Sequence, residues 1–186
     1  MHLTKKLFVV DNFYENPNEV RNFALQQQFV ENIQWYKGLR TTSAFRFPYL
    51  KSQFESIIGE PINNWENHAF NGVFQITIAS DLQVYHHDMQ KWAAMIYLTP
   101  NAPYESGTRL HASKINNASH VSDGGEQINQ AFSGGFYDST KFHTVDSIGN
   151  VYNRLVIMNA HCIHSAGPYF GTNKETGRLV HLFFFD

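Results

Sequence analysis

Three side chains of this sequence could share a metal. His86 and Asp88 sit two apart in Val84-Tyr85-His86-His87-Asp88, and His164 opens His164-Ser165-Ala166-Gly167-Pro168 far downstream. On an extended chain, residues i and i+2 project from the same side, so an imidazole and a carboxylate would stand next to each other. Two neutral imidazoles and one carboxylate fill one face of an octahedron and leave three positions open, the 2-His-1-carboxylate arrangement of non-haem iron. His-x-Asp alone is a common chance pairing, and its ordinary reading is a turn with a solvated aspartate. Two further histidines compete. His87 would face away from His86, which suits a structural or supporting role. His161 precedes His164 by three, and H-x-x-H can be a zinc pair on a helix. Asn159 and Pro168 argue against a helix there, which favours His164.

Such residues need a rigid frame. Hydrophobic residues make up 42 % of the 186, enough for a sizeable core in one domain. Aromatics reach 15 %, with 16 phenylalanines, which favours a β-rich core. Asn16-Pro17-Asn18-Glu19 reads as a helix start with a capping box, and the helix should run to about Gln28. Leu50, Phe54, Ile57 and Ile58 make a second amphipathic helix stopped by Gly59 and Pro61. Short extended runs are expected at Leu7–Val10, Ile62–Ala69, Phe70–Ile78, Leu82–His86, Trp92–Leu98, Gly107–Ala112, Arg154–Met158, Ile163–Phe170 and Arg178–Phe185. Residues 33–47 should be loops around short extended pieces. Residues 113–150 read as a long insertion or lid with a short helix at Gly125–Phe132. The expected architecture is α+β, mainly β: residues 1–60 carry a strand and helices packed on one sheet, and 61–186 form a double-sheet jelly roll, a double-stranded β-helix of cupin-like form.

The order of these parts carries a resemblance. His86-x-Asp88 leads into an apolar strand ending Ile96-Tyr97-Leu98-Thr99-Pro100, His164 is followed by Pro168, and Gly177-Arg178 opens the last strand. From about Phe74 to Asp186 the chain resembles the 2-oxoglutarate- and Fe(II)-dependent dioxygenases, nearest the prolyl-hydroxylase-like branch. The early run Phe8-Val9-Val10-Asp11-Asn12-Phe13-Tyr14-Glu15-Asn16-Pro17 is similar to the opening strand and helix of such enzymes. The resemblance implies that His86, Asp88 and His164 bind Fe(II). It also implies that Arg178 pairs with the far carboxylate of the cosubstrate 2-oxoglutarate and that Tyr97 helps hold it. A planar, always-protonated guanidinium suits that task. Tyr97 also reads as a plain core aromatic, Gln75 as a cavity-lining residue, and Arg154 as either a competing cation or a packing arginine. Arg178 lies further beyond His164 than in many members, so the Gly171–Gly177 loop should be enlarged.

The implied activity is hydroxylation of a peptidyl or small-molecule substrate, with dioxygen and 2-oxoglutarate consumed and succinate and carbon dioxide released. Asp88 favours hydroxylation over halogenation, which needs a small residue there. Two other classes remain open at this point: a cupin-like metal-binding module without oxygenase activity, and a zinc-dependent hydrolase built on the same three ligands. A net charge of −2 without a basic block argues against nucleic acid. No apolar run approaches the roughly 20 residues of a membrane span, and the N-terminus lacks a signal peptide, so a cytoplasmic protein is expected. The single cysteine, Cys162, excludes an intramolecular disulfide and reads as a small buried hydrophobe.

Overall fold

A computed structural model describes residues 7–31 and 37–186. Among these residues ten strands form two antiparallel sheets. The larger has seven strands in the order β1-β8-β5-β10-β4-β3-β2, with β1 Leu7–Val10, β2 Phe29–Glu31, β3 Leu39–Thr41, β4 Val73–Thr77, β5 Trp92–Tyr97, β8 Leu155–Asn159 and β10 Arg178–Phe185. The smaller has three, in the order β7-β6-β9, with β6 Thr108–Ser113, β7 Phe142–Ile148 and β9 His164–Ala166.

Alternation along the large sheet divides its residues between two cores. Phe74 and Ile76, Trp92, Ala94 and Ile96, Leu155 and Ile157, and Leu179, Phe183 and Phe185 face outward from the sandwich. They are covered by α1 (Pro17–Leu25) and α2 (Leu50–Ile58). Phe54 of α2 is fully buried there, 5.1 Å from the Phe183 ring and 5.8 Å from Trp65. The opposite residues, Val73, Ala93, Met95, Tyr97, Val156, Met158, Val180 and Leu182, meet Leu110, Ile148 and Cys162 between the two sheets. This is a mainly β, double-sheet jelly roll with its N-terminal helices on the outer face of one sheet.

Local expectations differ from the structure in four places. Asn16 caps α1 without a side-chain bond, so the capping box does not form, and the helix ends at Leu25. Pro17 at the first helical position is the signal that holds. Residues 62–69 form no strand; instead they fold back so that Trp65 stacks on Phe183 at 5.6 Å. Residues 82–86 are extended but join no ladder apart from one bridge at His86. The segment 113–150 does contain the expected helix, α3 (Gly125–Ala131), yet its last part is β7, an edge strand of the small sheet. The residues of β7 between Phe142 and Ile148 are exposed, which hides the apolar alternation a sequence reading depends on. The reading of 33–47 falls partly outside the described residues; within them β3 is a true strand. Gly59 stops α2 as expected, in the left-handed conformation at φ 78 that a side chain disfavours.

Candidate metal centre

The structure brings His86, Asp88 and His164 together, although His86 and Asp88 do not lie on a regular strand. A single antiparallel bridge joins the two histidines. His86 N–H donates to His164 O at 3.0 Å, and His164 N–H donates to His86 O at 2.8 Å. Residues so paired present side chains on the same side, and the two rings lie 4.3 Å apart. Asp88 follows two residues later, anchored by its N–H to Ala160 O at 2.8 Å. The pairing across the chain, and not a ladder, does the work the sequence reading gave to a strand.

One nitrogen, one nitrogen and one oxygen of these three side chains all lie within 4.8 Å of one another. His86 Nε2 is 3.6 Å from Asp88 Oδ1, and His164 Nε2 is 3.4 Å from Asp88 Oδ2. Donors on one face of an octahedron, with bonds near 2.1 Å, stand about 3 Å apart, so the group can hold a six-coordinate divalent metal once its donors draw together. Each imidazole turns Nδ1 to a backbone carbonyl two residues earlier, His86 to Val84 O at 3.2 Å and His164 to Cys162 O at 2.9 Å. That leaves each Nε2 lone pair directed at the common point, the usual way a ligating histidine is oriented. Asp88 Oδ2 is buried and accepts no hydrogen bond. A buried oxygen left without a partner is costly, and a cation at this point satisfies it.

The protonation states agree. Burial of the ring, then the adjacent His164, lower the pKa of His86, even though 38 % of its side chain still faces the mouth of the site. Burial pushes the Asp88 carboxyl up, but the imidazoles beside it outweigh burial and bring it down to about 2. At neutral pH the set is therefore a carboxylate beside a neutral imidazole, the forms a metal requires.

The competing residues lie elsewhere. His161 is not in the group; its Nε2 meets Met89 O at 3.2 Å. His87 turns its ring toward Phe132 at 6.1 Å. Arg154 grips Asp11 with two nitrogens, at 2.6 and 3.0 Å. Arg178 is 5 % exposed and points between the sheets. Its Nε donates to Ser106 O at 2.9 Å and its Nη2 to Gly107 O at 3.4 Å, and its guanidinium carbon lies 5.3 Å from the centre of the Tyr97 ring. No described carboxylate forms an ion pair with it. A buried cation without a counter-ion calls for an anion.

Tyr97 is fully buried, and burial raises its pKa. Its hydroxyl lies 2.8 Å from Thr108 Oγ1, whose own proton goes to Met95 Sδ, so Tyr97 is the donor. Gln75 is held on the neighbouring strand. It accepts from Arg40 Nε at 3.3 Å and donates to Lys37 O at 2.8 Å.

Two residues beside Arg178 escaped the sequence reading. Thr77 pairs directly with Arg178 across β4 and β10, and its hydroxyl is buried without a partner. Tyr169 lies close enough to feel the Arg178 charge. Thr77 was legible in principle, since it shares the alternation of Val73 and Gln75; Tyr169 sits in an irregular stretch and carries no pattern.

No family model and no curated protein sequence matches the chain. Solved structures do. HygX from Streptomyces hygroscopicus, with nickel, 2-oxoglutarate and hygromycin B bound, superposes with a TM-score of 0.62 at 10 % identity, over 98 % of this chain and 83 % of that one. A prolyl hydroxylase from Trichoplax adhaerens, in complex with a peptide of the oxygen degradation domain of hypoxia inducible factor, gives 0.55 at 15 %, over 98 % and 84 %. A Pseudomonas putida prolyl-4-hydroxylase gives 0.50 at 12 %, over 98 % and 93 %. Across nearly its whole length, the chain has the jelly-roll fold of the prolyl hydroxylases and of HygX.

Proposed function

We propose that the chain is a non-haem Fe(II)- and 2-oxoglutarate-dependent dioxygenase that hydroxylates a peptidyl or small-molecule substrate. The observation that carries this reading is the presence, in one jelly roll, of a three-ligand metal group and of a buried guanidinium with no acidic partner among the described residues. A binding module or a zinc hydrolase has use for the ligands but none for Arg178. His86, Asp88 and His164 would hold the iron and leave three adjacent positions open. When bound, iron and 2-oxoglutarate supply the oxidising chemistry: a substrate C–H, dioxygen and 2-oxoglutarate give the alcohol, succinate and carbon dioxide.

The rest falls to the chain. Arg178 receives the far carboxylate of the cosubstrate, its guanidinium steadied by Nε on Ser106 O and Nη2 on Gly107 O. The Thr77 hydroxyl, spare in the structure, offers that carboxylate a second donor. Tyr97 supports the guanidinium from below and stays protonated. The two sheets exclude bulk water from the reacting centre.

The test is anaerobic addition of Fe(II) and then 2-oxoglutarate to the purified protein. A weak visible charge-transfer band should appear, and Arg178→Ala should raise the 2-oxoglutarate concentration needed for it by about 10- to 100-fold, the worth of a charged hydrogen-bonded contact. Zinc binding with no band and no response to 2-oxoglutarate would favour the hydrolase instead.

A further inference from the structure

We propose that His111 is a positioning residue for the metal: it braces the segment that carries His86 against the one that carries His164, with residues 113–150 as its backing. The inference rests on the reading of His86, Asp88 and His164 as metal ligands and adds how the chain holds them in place.

The need for a brace follows from the local structure. His86 stands on a stretch that joins the small sheet by a single bridge, to His164. Two hydrogen bonds fix the spacing of the two segments and leave their tilt to whatever packs behind them. The residues just before the two ligands, Tyr85 and Ile163, are buried in a third core with Ala118, Ile128, Ala131 and Phe142. Alternation along an extended chain turns Tyr85 and Ile163 away from the metal. Their four partners all come from residues 113–150. The same segment takes both backbone N–H groups: Tyr85 donates to Phe136 O and Ile163 to Ser119 O, each at 2.8 Å.

His111 ties the two segments together. It lies on β6 where the pairing with β7 slips between Leu110 and His111, a bulge of the kind that re-aims a side chain. Leu110 packs between the sheets, while the His111 ring sits 4.9 Å from that of Tyr85 and 6.1 Å from that of Phe142. Tyr85 and Phe142 themselves stack nearly parallel at 4.9 Å. The backbone N–H of His111 donates to Ile163 O at 2.8 Å. Its Nε2 lies 2.8 Å from Ser165 Oγ, whose own proton goes to Ala166 O, so the imidazole is the donor. Nδ1 is left to accept from Thr144 Oγ1 at 3.4 Å. One buried ring thus touches the residue before His86 and the residue after His164.

The consequence is for the geometry of the ligands. A metal set works when its members are held within about 0.5 Å of their bound places. The nitrogen–oxygen separations here, 3.4 and 3.6 Å, must shorten when a metal enters. A link between the two segments opposes their drifting apart and keeps the cost of that closure small. Groups that orient a ligand without touching the metal are commonly worth about 10- to 100-fold in its affinity.

The test is titration of the full chain with Mn(II), the free ion being read by electron paramagnetic resonance, with urea unfolding of the metal-free protein in parallel. His111→Leu keeps a buried apolar side chain and removes the N–H; it should weaken Mn(II) binding by about 10- to 100-fold. His111→Gln, whose amide N–H can reach Ser165 Oγ, should recover part of the loss. Ser165→Ala should give a smaller loss, and adding it to His111→Leu should cost little more, as expected of two residues acting through one bond. Phe54→Leu, in the core under the helices, should lower the urea midpoint and leave Mn(II) affinity unchanged. Parental affinity in His111→Leu overturns the proposal, as does an equal loss in Phe54→Leu, which would make the effect one of general stability. If His111→Leu does not fold, Ser165→Ala decides, and parental affinity there overturns the proposal. If the parent protein takes up no Mn(II), the reading of the metal centre has itself failed, and this inference fails with it.

Discussion

At the scale of single residues, the site depends on which atoms are left over once the fold has satisfied the rest. His164 spends Nδ1 on Cys162 O and keeps Nε2 free, while His161 has Nε2 against Met89 O outside the group. We therefore expect His164→Ala to abolish succinate formation and His161→Ala to retain most of it; comparable losses would mean the wrong distal ligand has been chosen. Thr77 gives a second contrast. A buried hydroxyl without a partner carries a desolvation cost of about 1–3 kcal/mol, so Thr77→Val should leave the melting temperature of the free protein unchanged or raise it. The same change should raise the KM for 2-oxoglutarate several-fold. A clear drop in melting temperature would show that the hydroxyl already has a structural use.

At the scale of elements, backbone contacts place the ligands and the cation. Gly107 is the clearest case. Its missing side chain lets β6 press against the end of β7, where a Cβ would collide with the Ile148 carbonyl, and its own carbonyl receives both Gly167 N–H and Arg178. Gly107→Ala should cost about 1–3 kcal/mol, the usual range for forcing extra atoms into a packed region. It should also weaken 2-oxoglutarate binding through the displaced Arg178; denaturant unfolding and the charge-transfer titration read the two effects separately. The same scale explains what the sequence could and could not reveal. His86-x-Asp88, His164 and Arg178 were legible because their chemistry demands fixed residue types in a fixed order. Strands β4, β5, β8 and β10 were legible because one face or both are apolar. The short β3 with Arg40, and β7 with five exposed residues in a row, were not, since their pairing is set by distant strands and leaves little mark on local composition. Residues 62–69 went the other way: the expected strand does not form, and Trp65 serves as a plug against Phe183 and Phe54.

For the molecule as a whole, acid sensitivity should come from its sealed histidines. His181 is fully buried, sharing Nδ1 with the Tyr14 hydroxyl at 2.8 Å and Nε2 with Phe45 O at 3.0 Å. Burial lowers its pKa to about 3, against 6.5 in the unfolded chain. The unfolded state thus binds the extra proton between those values, and stability falls as pH drops through that window, by up to about 1.4 kcal/mol per pH unit for one such group. His111, brought to about 4 chiefly by burial, adds to the same slope. Urea unfolding of the metal-free protein between pH 6.5 and 4.5 should show this decline. A His181→Leu, Tyr14→Phe double variant, which removes both partners of the buried bond, should have a shallower one; identical slopes would rule His181 out.

The parity of β10 has a consequence for how such a protein can diversify. Arg178, Val180 and Leu182 look between the sheets, while Leu179, His181, Phe183 and Phe185 look toward the helices. Neighbours one step apart in the gene thus answer to different demands, one set to ligand choice and the other to endurance. Substitution of Arg178 alone should lose cosubstrate binding at little loss of solubility, and a randomised library confined to the second set should yield mostly aggregates.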